Sequence, residues 1–284
     1  MEIGSFTIEI LSEGRFEFFR DGHINRAKRA HPKSSHTDDT GPGNLVTSGI
    51  NPVFIQTDNH NILLDTGLGW GLDAGSPDKN ISNASTNLRI FGLTREDITH
   101  VVLSHLHYDH AAGATFTDNT ATVQPTFPNA TYYTHQKEWD FALQQIESEQ
   151  TPYSERYRLD DLYKLVSQEQ ITFLSDNSTK LLDGITLLRT GGHTPGHTTV
   201  KIESNGEKAY YMGDLLPTEF QLNNYDMEAA DVYPLEAKKQ KVQLIKQAYQ
   251  EKALLLFYHS KNGQAGKLIR DEDQKYVLAK QLPM

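Results

Sequence analysis

Four side chains of the kinds that bind metal ions fall within six consecutive residues. They are His105, His107, Asp109 and His110, in the pattern His-x-His-x-Asp-His. An apolar run ends just before them, and where an irregular loop leaves a strand, two ligands can project to one side and two to another. Imidazole and carboxylate suit zinc at roughly 2.0 to 2.2 Å, and iron, cobalt, nickel and manganese also accept them. The spacing therefore predicts one loop that serves two adjacent cations.

The composition limits what else such a site can contain. The 284 residues include 12 His but no Cys, which excludes thiolate zinc sites, Fe-S clusters, disulfide scaffolds and Cys nucleophiles. Any metal must therefore be held by nitrogen and oxygen. The formal net charge of −10 disfavours binding to nucleic acid, because that binding depends on Lys and Arg side chains that neutralise phosphates.

Further ligands are expected elsewhere, because one loop cannot complete two coordination spheres. Three candidates each follow a predicted strand: His193, Asp214 and His259. His193 lies in the segment Gly-Gly-His-Thr-Pro-Gly-His, whose glycines let the backbone turn tightly beside a metal. His197, at the end of that segment, fits support of a ligand and an ordinary loop position equally well.

The order and rough spacing of these residues, with Asp65 ahead of them, resemble the metallo-β-lactamase superfamily. That resemblance implies an α/β fold, an αββα sandwich with two divalent metal ions, expected to be zinc, at one edge between two sheets. The implied ligands of the first metal are His105, His107 and His193. Those of the second are Asp109, His110 and His259. Asp214 is implied to bridge both ions, and Asp65 to orient the loop that carries the ligands.

Hydrolysis is the reaction that this implied site favours. Five imidazoles and two carboxylates around two divalent cations leave a positive formal charge, which attracts a carbonyl or phosphoryl oxygen. Two close cations also lower the pKa of the water between them. We expect a metal-bridging hydroxide to attack the substrate, while Asp214 or Asp109 relays a proton to the leaving alkoxide.

Among the branches of the superfamily, the sequence looks most like the larger quorum-quenching lactonases, which open N-acyl homoserine lactones. The similarity lies in residues 214–218 and 231–234 and in the long polar arm before residue 50. The expected partner is a small-molecule lactone or ester. In the smaller lactonases a Tyr follows the bridging Asp and assists the carbonyl, but residues 215–217 here are Leu, Leu and Pro. Two alternatives stay open: an organophosphate or aryl-ester hydrolase, and a non-catalytic protein that binds metal or ligand.

The elements that must position these residues follow from the periodicity of apolar side chains. Phe6, Ile8 and Ile10 alternate as in a strand, and Phe16 and Phe18 follow a turn at 12–14, which reads as a hairpin. A polar, irregular arm covers about 20–49. Strands are predicted at 100–103, 130–134, 185–189, 199–203 and 208–212, with a final buried strand at 253–258. Helices are predicted over 136–146, over 153–166 and around Val242, Ile245 and Tyr249. Residues 1–284 are expected to form one domain, since no linker divides them.

The N-terminal residues and the polar arm bear on location and assembly. The N-terminal residues lack the basic start and uninterrupted apolar stretch of a signal peptide, and no apolar run reaches the length of a membrane span. A cytoplasmic location without membrane contact is therefore expected. The polar arm makes a homodimer a candidate assembly.

Overall fold

The computed structural model describes residues 1–18, 24–26, 46–69, 83–148, 156–227, 230–262 and 264–279. In chain order its strands are β1 (Glu2–Ile3), β2 (Phe6–Ile10), β3 (Gly14–Phe18), β4 (Ile24–Arg26), β5 (Val46–Ile50), β6 (Val53–Gln56), β7 (Asn61–Leu64), β8 (His100–Val102), β9 (Thr115–Thr117), β10 (Val123–Pro125), β11 (Thr131–His135), β12 (Ile171–Leu174), β13 (Ser178–Leu182), β14 (Ile185–Arg189), β15 (Thr198–Ser204), β16 (Glu207–Tyr211), β17 (Leu254–Leu256), β18 (Ala265–Arg270) and β19 (Tyr276–Leu278). The α-helices are α1 (Asn83–Leu88), α2 (Tyr108–Ala111), α3 (Gln136–Ser148), α4 (Tyr163–Ser167) and α5 (Pro234–Glu251).

Two seven-stranded sheets form the frame. The first has the order β1-β2-β6-β7-β8-β11-β12, and the strands from β7 to β12 run parallel. The second has the order β13-β14-β15-β16-β17-β18-β19, in which only β16 and β17 are parallel neighbours. Small sheets of β4-β3-β5 and β10-β9 complete the described strands.

Alternating side chains on the first sheet separate two layers of the core. On β7, Leu63 packs in one buried cluster with Trp139 of α3. Its neighbours Ile62 and Leu64 pack in another cluster with Val200 of β15 in the second sheet. Because successive residues of a strand point to opposite faces, this sheet lies between helices on one side and the second sheet on the other.

The second sheet repeats this arrangement with α5. On β16, Tyr210 packs with Leu244 of α5, whereas Ala209 and Tyr211 join the central cluster between the sheets. Helix α5 begins at Pro234, whose fixed φ suits a first helical position, and it buries one face. The layers are therefore helix, sheet, sheet and helix, which confirms the predicted αββα sandwich.

The predicted N-terminal hairpin is wrong. Strand β2 pairs with β6, where Ile8 lies opposite Ile55, whereas β3 pairs with β5, where Phe16 lies opposite Ser48. The turn residues between the two strands lead the chain from one sheet to another instead of folding it back. The irregular arm is also wrong at its described ends, because 24–26 and 46–50 are strands of the small sheet, and the rest of 20–49 lies outside the described residues.

Two further element predictions need correction. In the predicted helix over 153–166, Tyr157 forms an isolated β-bridge with His107, and the helix covers only Tyr163–Ser167; residues 153–155 lie outside the described part. The run at 253–258 is not the final strand, because β18 and β19 follow it. In β18, three of six residues are exposed and only Gly266 and Leu268 are buried. The strand therefore lacks the continuous apolar run that marks a buried strand in a sequence. Across the described residues, no helix is both long and apolar enough to cross a membrane.

Candidate metal centre

The predicted ligands follow strand ends at one edge of both sheets, in loops and, for Asp109 and His110, in the short helix α2. Strand β8 leads into the loop with His105, and β16 and β17 lead to Asp214 and His259. Strand β14 runs in the same direction as β16, because each is antiparallel to β15, so His193 follows it at the same edge. The topology thus brings together residues of both sheets that are up to 154 positions apart in the chain, from His105 to His259.

Asp65 organises the start of the ligand loop. It follows β7 in the left-handed region of backbone conformation, with a φ of 57°, and is completely buried. Its carboxylate accepts hydrogen bonds from the backbone N–H of Ser104 at 2.6 Å, the Ser104 hydroxyl at 2.7 Å and the Tyr211 hydroxyl at 2.5 Å. It also accepts the Nδ1 proton of His110 at 2.7 Å. Asp65 therefore contacts the loop and one ligand but does not itself face the metal position.

One cluster of possible ligand atoms consists of His105, His107, His193 and Asp214. The His105 Nε2 lies 2.9 Å from the His107 Nδ1, which lies 3.2 Å from the His193 Nε2. The Asp214 Oδ2 is 3.3 Å from the His193 Nε2 and 3.9 Å from the His105 Nε2. We call these residues the first cluster.

A second cluster consists of Asp109, His110 and His259. The His110 Nε2 and His259 Nε2 are 3.3 Å apart, and the Asp109 Oδ2 lies 3.9 Å and 3.5 Å from them. The Asp214 Oδ1 is 3.2 Å from both of these imidazole nitrogens. Asp214 therefore turns one carboxylate oxygen to each cluster, in the position of a bridging ligand.

The hydrogen bonds of the outer ring nitrogens orient four of the imidazoles. The Ser104 hydroxyl donates to Asp65, so it accepts the Nδ1 proton of His105 at 3.0 Å. The Nδ1 of His193 donates to Asp231 at 2.9 Å, and that of His259 to the Gly49 carbonyl at 2.9 Å. With His110 bound to Asp65 in the same way, four Nε2 lone pairs point into the site.

The arrangement of these lone pairs fits metal ions. His107 turns its Nδ1 toward the first cluster, and its buried Nε2 has no hydrogen-bond partner among the described residues. Neutral imidazoles whose outer protons are already donated have no second proton for one another. Their convergence on a carboxylate is therefore the geometry of a cation site, and the all-nitrogen and oxygen donor set suits zinc.

The two clusters differ in their protonation. Burial, together with the neighbouring histidines, lowers the pKa of His105 and His107 well below the usual value. Burial also opposes protonation of His110 and His259, but the Asp214 and Asp109 carboxylates overcome it and raise the pKa of both. His105 and His107 of the first cluster therefore present neutral nitrogens, whereas the second cluster attracts positive charge.

His197 supports the bridging carboxylate from behind. Its Nε2 accepts a hydrogen bond from the backbone N–H of Asp214 at 3.0 Å, so the proton sits on Nδ1 and is donated to the Thr190 hydroxyl at 2.7 Å. Burial lowers the pKa of His197 to about 3, which keeps the ring neutral and able to accept. Of the two roles left open for this residue, the geometry matches support of a ligand.

Two buried acids beside the ligands were not predicted as site residues. Asp231 orients His193, and the backbone around it pairs with the same loop, since the N–H of Val232 donates to the His193 carbonyl at 2.9 Å. Glu138 contacts the ligand loops from α3. Its position on the buried face with Ala142 and Gln145 was a usable signal, because an acid on an apolar helix face requires partners. For Asp231, no local pattern marks the contact.

An αββα sandwich with two adjoining His and Asp clusters at one sheet edge defines a class of protein with a site suited to two metal ions. A family model extends this class to a particular lineage. The model of the Metallo-beta-lactamase superfamily matches residues 46–259, and the chain belongs to that superfamily. All seven predicted ligands fall within the matched segment.

Known proteins that resemble the chain carry related names. An N-acyl homoserine lactonase of Bacillus thuringiensis is 26% identical over 241 residues, which cover 77% of this chain and 84% of that protein. The lactonase of Bacillus cereus is 24% identical over 61% of this chain, and the chain spans 65% of that relative's length. The solved structure of AidC, described as a dizinc quorum-quenching lactonase, superimposes with a TM-score of 0.73 at 22% identity, covering 100% of this chain and 97% of that one.

Proposed function

We propose that the chain is a metal-dependent hydrolase that opens a lactone ring, with an N-acyl homoserine lactone as substrate. The observation that carries this proposal is the position of Asp214, whose two oxygens face two clusters of imidazole lone pairs. The Bacillus relatives that are named N-acyl homoserine lactonases support the choice of substrate.

The seven residues of the two clusters would hold two divalent ions, and their nitrogen and oxygen donors suit zinc. When bound, such ions polarise a carbonyl group and lower the pKa of the water between them. The chain's own contribution is to fix the donors: Asp65, Asp231 and the Gly49 carbonyl hold the outer nitrogens of the imidazoles, and His197 holds the backbone of Asp214. This support fixes the ring orientations before the metal arrives.

The exposure of the ligands indicates where a substrate enters. The side chains of Asp109, Asp214 and His259 are 15%, 13% and 12% exposed, whereas those of His105 and His110 are fully buried. A substrate therefore reaches the site from the side of the two carboxylates. In this position, Asp109 or Asp214 can carry the proton to the oxygen that leaves when the ring opens.

A cavity beside His193 and Asp214 provides space for the substrate. Leu215, Pro217 and Ala237 contribute apolar surface to its lining, and Gln221 contributes a polar side chain. The described residues directly after Asp214 do not include a phenol, because Leu215 and Leu216 occupy this position and both are buried. The Tyr that assists the carbonyl in smaller lactonases therefore has no counterpart at 215–217.

The experiment that tests this proposal compares four substrates on the metal-loaded chain. Steady-state kinetics on a long-chain N-acyl homoserine lactone, a δ-lactone, an aryl ester and a phosphotriester should give the highest kcat/KM for the first. A highest value for the aryl ester or the phosphotriester would identify an ester or organophosphate hydrolase instead. Binding of the acyl lactone without any turnover would identify a non-catalytic binding protein.

A further inference from the structure

Glu138 is a fully buried acid that touches none of the seven predicted ligands through its side chain. It lies in the first turn of α3, and the described part of the chain offers its carboxylate four donors. The Oε1 accepts from the backbone N–H of Leu106 at 3.1 Å and from the Tyr157 hydroxyl at 3.5 Å. The Oε2 accepts from the Thr194 hydroxyl at 2.5 Å and from the backbone N–H of Gly196 at 3.1 Å.

Three of these donors, those of Leu106, Thr194 and Gly196, belong to the two loops that carry the three histidines of the first cluster. Leu106 lies between His105 and His107, and Thr194 directly follows His193. One carboxylate therefore connects the loop after β8 in the first sheet to the loop after β14 in the second. Since buried hydrogen bonds to a charged group are stronger than neutral ones, this connection fixes the separation of the loops.

The helix backbone reinforces the connection. A Cβ atom added at Gly196 would lie 2.3 Å from the backbone nitrogen of Glu138 and 2.4 Å from its Cβ. The loop after β14 can therefore approach α3 only because residue 196 is Gly. Burial raises the pKa of Glu138, and the hydrogen bonds from Thr194, Leu106 and Gly196 counteract that rise.

The second cluster has no such link to α3. His110 is held by Asp65, and the loop of His259 is held by the Gly49 N–H, which donates to the His259 carbonyl at 3.1 Å. In the described residues, the side chain of Glu138 bonds to the two loops that carry the first-cluster histidines and to the Tyr157 hydroxyl, and none of these bonds is to Asp109, His110 or His259, although Asp109 and His110 follow His107 on the same segment. A change at Glu138 should therefore act more strongly on the first metal position than on the second.

We propose that Glu138 is a positioning residue that clamps the two loops of the first cluster at the separation that its metal requires. The clamp rests on the proposed two-metal site. It acts through the backbone and Thr194, without contact between Glu138 and the metal or the substrate. Removal of the Glu138 carboxylate keeps every ligand side chain but lets the loops that carry these side chains separate.

The test measures release of metal from the holoprotein to a chromophoric chelator. Glu138→Gln keeps the size of the side chain but places an amide donor against backbone N–H groups, and Thr194→Val removes one donor of the clamp. A matched control is Asp140→Asn, because Asp140 is an exposed acid on the same helix that bonds to Gln136 at 2.8 Å. Glu138→Gln and Asp140→Asn each remove one negative charge from α3. The variant His193→Ala identifies which release phase belongs to the first cluster.

We expect Glu138→Gln to release the first-cluster metal about 10- to 100-fold faster, the range found when groups that orient metal ligands are removed. Thr194→Val should show a smaller acceleration of the same phase, and Asp140→Asn should match the wild type. If Glu138→Gln does not fold, the Thr194→Val result decides. Equal acceleration of both phases would show a general loss of stability and overturn the clamp, as would release unchanged from the wild type. A wild type that holds no metal would overturn the proposed function itself.

Discussion

The two halves of the metal centre are built on different physical terms. In the first cluster, three imidazoles are at most 4% exposed, and burial keeps the pKa of His105 and His107 low. In the second, Asp109 and His259 reach solvent, and carboxylates raise the pKa of the imidazoles against the effect of burial. The first half is buried and contains two imidazoles of lowered pKa, and the second is a charged, partly exposed edge.

This difference shows how one edge of a sandwich can place two metal positions of different charge and exposure side by side. In the first cluster, Glu138 connects a loop of each sheet and Asp231 orients His193, and the low pKa of His105 and His107 leaves these two rings with no extra proton to release. The second must release protons when a metal binds, and it faces the side from which a substrate arrives. Asp214 couples the two, so changes to it should have the largest effect.

The change Asp214→Ala breaks both halves at once. It removes the only described carboxylate that faces both clusters, so we expect less than one retained metal per chain. Activity should fall by more than the roughly 10- to 100-fold typical of groups that merely orient ligands. Metal analysis and lactone hydrolysis on the same preparation check this result. The control is Asp183→Ala, since Asp183 is an acid with an almost fully exposed side chain, paired only with Lys180 in the described residues.

Single ligand removals should separate the halves. We expect His193→Ala to lose the first-cluster metal and keep the second, and His259→Ala to do the reverse, because each residue lies in only one cluster. Metal content by elemental analysis should fall by about one equivalent in each variant. If either change empties both positions, the two halves are not independent, and the comparison drawn above fails.

Acidification should weaken metal binding at the second cluster before the first. In the metal-free chain the pKa of His110 and His259 lies above 6.5, so these rings hold protons at and just above that pH and a metal must displace them. The pKa of His105 and His107 lies well below 6.5, so these rings stay neutral there. As the pH falls from mildly alkaline to mildly acidic, affinity should decline at the second cluster first. Calorimetric metal titrations at successive pH values measure this order, and a first cluster that weakens earlier would contradict it.

The smallest effect is expected at Asp231, which touches a ligand but not the metal position. Asp231→Asn weakens the acceptor for the His193 Nδ1 proton, so affinity at the first cluster should fall by about 10-fold, the lower end for such groups. Competition with a chelator measures this change. Asp183→Asn is the control, because the side chain of Asp183 is almost fully exposed and pairs only with Lys180 among the described residues. An unchanged affinity in Asp231→Asn would remove Asp231 from the site.

The sequence predicts the ligands better than their supports, for a physical reason. The residues at 105–110 lie on one loop, and the positions after β14, β16 and β17 follow from strand ends, so local patterns find them. Glu138 reaches the ligand loops, and Asp231 reaches His193, only because a helix and a loop pack against the sheet edge. The local sequence around each of these acids does not specify that packing.

The same limit explains the error at the N-terminus. The alternation in β2 and β3 marks both strands, but a turn between two strands does not determine which sheet each one joins. Ile8 pairs with Ile55, and Phe16 pairs with Ser48, and each partner lies more than thirty positions away in the chain. The layered fold itself was predictable from the resemblance carried by the ligand motif.

The central claim is that two adjoining clusters together hold the ions that open a lactone. The direct test titrates zinc into the metal-free chain while proton release from ring opening of an N-acyl homoserine lactone is recorded. We predict that turnover rises until two equivalents per chain are bound and then stays constant. Full turnover without metal, or saturation at a single equivalent, would contradict the account.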